Sequence, residues 1–227
     1  MNKIEYILSE VRKETDSVIL FSSLTGKDSI LLTHYCAEIF NKVESVYMYL
    51  VKDLDHVNKY QRYFERRYGN IEFHQVPHFT KSWHIRTGFL GIKKDKNQKK
   101  YQLRDIDELM REKTGINWSV YGMKQSDCLN RRVQLRQYKL SAICEQSQKV
   151  YPLSEFTNNQ VLQLIEKNNL PLPISYNNDR SQSQDINDID YLIWLYNNYP
   201  NDLLKTFEAY PGTRQKVYEW QEANKTE

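Results

Sequence analysis

A chain of 227 residues has room for one α/β domain with an extension, or for two small domains, and excludes a multidomain assembly. Its 32 Lys and Arg against 29 Asp and Glu leave a net charge of +3, so charge alone does not mark a nucleic-acid binder. With 40% hydrophobic and 13% aromatic residues but only 7 Gly and 6 Pro, the composition excludes global disorder and disfavours collagenous or turn-dense all-β designs.

Ile4, Ile7, Leu8 and Val11 recur at three- and four-residue intervals and predict an amphipathic helix over 3–13. The charged N-terminal stretch does not read as a signal peptide, and no apolar run approaches the roughly 20 residues of a membrane helix. A cytoplasmic protein without a membrane partner is expected. Cys36, Cys128 and Cys144 form no C-x-x-C pair, which favours reduced thiols over a disulfide scaffold or a zinc–thiolate site.

A β-branched and aromatic run at 17–22 predicts a strand, residues 23–29 a loop, and the apolar segment 30–40 a buried helix. A strand at 45–51, a polar helix at 55–68 and a strand at 71–76 continue the alternation. Strands alternating with helices at this spacing predict a doubly wound, mostly parallel sheet with flanking helices. Residues 77–116 read as an insertion or lid, with the lysine-dense run Lys93 to Lys100 and a polar helix over 104–113. Trp118 to Tyr121 predicts a fourth strand, and 127–146 a helix with Ser126 as its N-cap. A helix over 158–168 stops at Leu170-Pro171-Leu172-Pro173, and a polar linker spans 177–184. Three short helices, over 186–199, 202–210 and 214–223, read as a capping subdomain, with a homodimer surface as the alternative. The expected organisation is an N-terminal helix (1–16), a nucleotide-binding α/β domain (17–176) and a helical C-terminal extension (177–227).

In a doubly wound sheet the loop after the first strand lies at the carboxyl edge, where ligands bind, and the helix it opens points its positive end at them. Here that loop offers Ser22, Ser23, Thr25 and Ser29 hydroxyls, Gly26, the cation Lys27 and backbone N–H groups, a set suited to phosphate or sulfate oxygens. It is not a Walker A loop, because Phe21 stands where that motif needs Gly and Asp28 where it needs Ser or Thr.

Gly26-Lys27-Asp28-Ser29 resembles the second half of the Ser-Gly-Gly-Lys-Asp-Ser loop of the PP-loop ATP pyrophosphatases, in their phosphoadenosine-phosphosulfate (PAPS) reductase-like branch. Leu24 and Thr25 stand where that family has Ser and the first Gly. Gly122-Met123-Lys124, continuing to Asp127, Arg131 and Arg132, is similar to the family's Gly-Ile-Arg stretch, with Lys124 in place of the first Arg. Tyr151-Pro152-Leu153 through Leu170-Pro171-Leu172-Pro173 is similar to the helix and Leu-Pro exit after the last core strand.

The resemblance implies an adenine nucleotide, ATP or PAPS, with Mg²⁺, its phosphates or sulfate in the 23–29 loop. Lys27, Asp28 and Arg131 become the catalytic candidates; Ser22, Ser23, Thr25, Gly26, Lys27, Ser29, Gly122, Lys124 and Arg132 the binding candidates; and Asp28 the metal ligand. The family's reductases use a tail cysteine, and this chain has no cysteine after Cys144. ATP cleavage to AMP and pyrophosphate, activating an unidentified acceptor, therefore ranks first. A thiol-dependent PAPS reductase, with Cys128 as fallback nucleophile, and a non-catalytic nucleotide-binding module are the alternatives. No iron–sulfur cluster and no zinc are expected, and the five histidines show no ligand spacing. Arg131, Arg132 and Arg136 also read as a solvated helix face. Lys93 to Lys100 reads as a solvated loop or as a grip on a nucleic-acid acceptor.

Overall fold

The computed structural model describes residues 2–174 and 185–224; the expected linker at 177–184 lies outside them. Ten α-helices, a 3-10 turn and six strands are seen among the described residues. The elements are α1 (Lys3–Arg12), β1 (Ser17–Phe21), α2 (Lys27–Ile39), β2 (Lys42–Tyr49), α3 (Asp55–Arg67), β3 (Ile71–Pro77), α4 (Phe79–Thr87), α5 (Leu103–Thr114), β4 (Ser119–Tyr121), α6 (Leu129–Arg136), β5 (Ile143–Cys144), β6 (Lys149–Val150), α7 (Asn158–Lys167), α8 (Ile189–Asn198), α9 (Pro200–Ala209) and α10 (Gly212–Asn224).

The strands form one sheet in the order β3-β2-β1-β4-β6-β5. β1 runs parallel to β2 and β4, and β4 parallel to β6, while β5 returns antiparallel to β6. Alternate residues explain how both faces are covered. Val18, Leu20, Val43, Val120 and Val150 join one core with Ile4, Ile7 and Leu8 of α1, Ile30 and Leu31 of α2, and Val161 and Ile165 of α7. Ser119 points to the opposite face, where its hydroxyl meets Asp107 of α5 at 2.5 Å and Arg111 at 3.1 Å. The doubly wound, mostly parallel α/β architecture expected from the alternation is thus present.

Two elements differ from expectation. The helix predicted over 127–146 ends at Arg136, and its N-cap is Cys128, not Ser126. Leu140 and Ser141 turn the chain through positive φ, and Ile143 and Val150 complete the sheet edge as buried strand residues. Burial in the sheet outweighs the local helical pattern there. The second strand begins at Lys42, because Lys42 and Val43 pair with Ser17 and Val18.

The chain divides into two compact units: residues 1–48, 60–74 and 107–173, and residues 49–59, 75–106 and 174–227. Within the second, Asp202 of α9 accepts the Asp55 and His56 N–H groups at 2.7 and 3.0 Å, capping α3 from a distance. Its carboxylate also meets His56 Nδ1 at 2.6 Å, and both side chains are fully buried. No helix among the described residues is long and apolar enough to cross a membrane.

Candidate functional site

The strand order reverses at β1, with β2 and β3 on one side and β4, β6 and β5 on the other. In such sheets ligands bind in the crevice outside the carboxyl ends of the strands at this switch point. The loop after β1 and the loop after β4 both open there.

After Phe21 the chain makes a tight, self-bonded loop. Ser22 Oγ accepts the Leu24 N–H at 3.0 Å, and the Thr25 N–H donates to Ser23 O at 2.8 Å. Leu24 is held at φ 63 and fully buried, so this non-Gly residue adopts a left-handed turn to plant its side chain in the core. The Ser23 N–H donates to Ser29 Oγ at 2.8 Å, and the two hydroxyls lie 3.0 Å apart. Gly26 caps α2 without a side-chain hydrogen bond. A Cβ on Gly26 would meet Ser23 Oγ at 2.9 Å, which ties this glycine to the loop's closure. The helix begins at Lys27, so Lys27, Asp28 and Ser29 form its first turn, where the free N–H groups and the positive end of the dipole attract anions.

The second loop brings Lys124 onto that turn. Lys124 is almost wholly buried, and its Nζ donates to both Asp28 oxygens, at 2.8 and 2.7 Å, and to Asn158 Oδ1 at 2.9 Å. Lys27 Nζ lies 3.5 Å from Asp28 Oδ2. Gly122 lets the strand end approach: a Cβ there would lie 3.5 Å from Asp28 Cβ and from Leu32 Cδ1. Phe21 and Tyr121, paired in register at the ends of β1 and β4, stack with centroids 4.9 Å apart. Burial pushes the Tyr121 hydroxyl pKa up, keeping it neutral.

The structure therefore gathers Ser22, Ser23, Thr25, Gly26, Lys27, Asp28, Ser29, Gly122 and Lys124 around one helix start. Arg131 and Arg132 stand apart on α6: Arg131 pairs with Asp127 at 2.7 Å, and Arg132 Nε donates to Gln125 O at 3.4 Å. Among the described residues neither bonds to the 22–29 loop. Cys128 is exposed at the start of α6, whereas Cys36 is buried and burial pushes its thiol pKa up, removing it as a nucleophile. Asn158, which shares Lys124 with Asp28, was not among the expected residues. The Thr157 and Gln160 capping box marks its helix start, but nothing local points across 34 residues to Lys124.

Away from this edge, Glu44, Glu72 and His74 bring three ligand atoms within 4.8 Å of one another, a grouping that histidine spacing did not reveal. It is already engaged: Glu44 bonds His74 Nε2 and lies 2.6 Å from Lys42 Nζ, and Lys113 Nζ lies 3.1 Å from His74 Nδ1.

The model of the phosphoadenosine phosphosulfate reductase domain matches residues 17–179. The chain belongs to that family. No curated protein matches it. Among solved structures, it is similar to the U34-tRNA thiolase NcsA from Methanococcus maripaludis with its 4Fe–4S cluster, at 15% identity and TM-score 0.46, covering 95% of this chain and 80% of that one. It is also similar to the NH3-dependent NAD synthetase from Campylobacter jejuni subsp. jejuni NCTC 11168 in complex with the nitrate ion, at 13% identity and TM-score 0.47, covering 96% and 94%. The thiolase corrects one expectation. Because a structure similar to this chain carries a 4Fe–4S cluster, the expected absence of an iron–sulfur cluster is withdrawn.

Proposed function

We propose that this PAPS reductase family member holds the distal phosphates of ATP at the 22–29 loop and cleaves it to AMP and pyrophosphate, transferring the adenylyl group to an acceptor. The observation that carries the reading is the start of α2: a helix N-terminus without a side-chain cap, headed by Lys27, at the switch point of the sheet. A nucleophile on the acceptor attacks the α-phosphorus, the α–β anhydride bond breaks, and pyrophosphate leaves with the bonding electron pair. Lys27 and the N–H groups of the first turn offset the charge that grows on that leaving group, which is where preorganised donors lower a barrier.

Asp28 was the expected metal ligand, but both its oxygens accept from Lys124 Nζ. That arrangement does not fit a carboxylate waiting for Mg²⁺. Asp28 instead positions Lys124 against the helix start.

A second reading, a thiol-dependent PAPS reductase, is favoured by Cys128, exposed at the N-cap of α6. The test is to titrate the protein with ATP and with PAPS, each with Mg²⁺, and to assay pyrophosphate and sulfite. Pyrophosphate from ATP, lost in Lys27→Ala, supports adenylylation. Sulfite formed from PAPS with added thiol, lost in Cys128→Ser, transfers the assignment to the reductase. Binding without either product leaves a regulatory module or an acceptor missing from the assay, and no binding refutes the site.

A further inference from the structure

The run Lys93 to Lys100 holds five lysines and one aspartate, a local charge of 5 − 1 = +4 in a chain whose net charge is +3. A solvated tail of this kind would be free of the fold, but this one is fastened to α4. The Asp95 N–H donates to Ile85 O at 2.9 Å, Arg86 Nη1 donates to Gln98 O at 2.8 Å, and the Tyr101 N–H donates to Ser82 Oγ at 3.0 Å. Lys94 packs on Gly88, the left-handed residue that ends α4; a Cβ there would meet Lys94 Cβ at 3.4 Å. The one acid in the run is exposed and bonds within its own loop, with Asp95 Oδ1 accepting the Asn97 N–H at 2.8 Å.

The five ammonium groups are all exposed, and among the described residues none forms an ion pair. One exposed aromatic ring lies on α4 and another at the end of the fastened segment. Trp83, on α4 beside the Ser82 that holds Tyr101, is 47% exposed, and Tyr101 is 41% exposed. Lys99 Nζ sits 5.2 Å from the Tyr101 ring centroid. An exposed Trp on α4 and an exposed Tyr at the end of a backbone-fastened run of lysines without ion pairs supply the two elements that single-strand binders use: cations for phosphates and flat rings for unstacked bases.

We infer that Lys93, Lys94, Lys96, Lys99 and Lys100, together with Trp83 and Tyr101, form a binding surface for single-stranded nucleic acid. The rings decide between strand states, because duplex bases are already stacked on one another and offer no face to Trp83. The inference does not rest on the nucleotide site, since it needs neither ATP nor turnover.

The probes are fluorescein-labelled oligo-uridine and oligo-thymidine of about 20 nucleotides, longer than the site size of common single-strand binders, read by anisotropy with the full chain and no nucleotide. Each neutralised phosphate contributes about −0.7 to the slope of log K against log salt, so five lysine contacts give a slope of about −3.5 and about a hundredfold weaker binding at 200 than at 50 mM salt. Replacing the five lysines by Gln should flatten that slope. Trp83→Ala should weaken binding about tenfold with the slope unchanged, while Trp83→Phe keeps a ring and most of the affinity. Tyr101→Ala, at an exposed site, gives the same readout should Trp83→Ala disturb α4. Tighter binding of either sugar type is consistent with the surface, and the two probes separate RNA from DNA as its ligand. No binding at low salt, equal competition by a duplex of the same length, or unchanged affinity in both aromatic variants would overturn it.

Discussion

Lys124 Nζ donates to both carboxylate oxygens of Asp28 from a side chain that is 3% exposed, whereas Asp28 is 25% exposed. The pair is therefore lopsided in its dependence on water. Removing Asp28 strands a buried ammonium with only Asn158 for company, while removing Lys124 leaves a carboxylate that solvent reaches. Asp28→Ala should cost about 3 kcal/mol in urea unfolding, the lower end for breaking a buried pair, and Lys124→Met less than about half of that. Equal costs for the two would contradict the geometry.

Gly26 tests the loop without touching a charge. Its φ of −85 suits any residue, so Gly26→Ala strains no backbone. The new methyl would meet Ser23 Oγ at 2.9 Å and force it off its 3.0 Å contact with Ser29. Stability should change by less than about 1 kcal/mol, because a serine rotamer can move, whereas ATP affinity should fall about tenfold. The double variant Gly26→Ala with Ser23→Gly should recover part of that affinity in calorimetry; no recovery would show that the clash is not the cause.

Leu24 sets two effects against each other. Its φ of 63 costs about 1–2 kcal/mol for a residue with a Cβ. Its fully buried side chain is worth about 2–5 kcal/mol against truncation. Burial wins, so Leu24→Gly should destabilise by about 2 kcal/mol despite relieving the turn, as read from denaturant midpoints at constant m. A stabilised Leu24→Gly would mean that the side chain is not an anchor.

The alternation of strands and helices was legible because each buried strand and its helix carry their own periodicity, and the Gly26 to Ser29 loop because its residue types are local. What was illegible depends on distance. Lys124 meets Asp28 across 96 residues and Asn158 across 34, and no local pattern encodes either pairing. The helix expected to run to Gln146 failed for the same reason: Ile143 and Val150 are apolar in any register, and only the sheet edge decides that they are strand residues. Glu72 and His74 stand two apart on β3, a spacing that matters only once Glu44 lies beside them.

Three histidines set the expected pH response. Burial is the leading cause that lowers the pKa of His34, His78 and His84. His34 also faces Glu38, Arg67 and Tyr68, and His84 faces Tyr210, Lys81 and Asp185, but in neither case do the acids restore the ordinary value. An unfolded histidine titrates at about 6.5, so just below that pH the unfolded chain binds protons that the folded chain refuses. Stability should therefore fall on acidification from about pH 7.5 to about pH 5.5 and return as pH rises. Asp202 belongs to a lower window: burial would raise its pKa, but hydrogen bonds from the His56 ring and from the Asp55 and His56 N–H groups overcome burial and lower it. Its contribution is present above the unfolded carboxylate value of about 3.9 and is lost only as pH falls through the lower folded value. Urea midpoints at the two pH values, compared with those of His84→Asn, separate the histidine effect. The variant should show a shallower loss, and a wild-type chain more stable at pH 5.5 would refute the assignment.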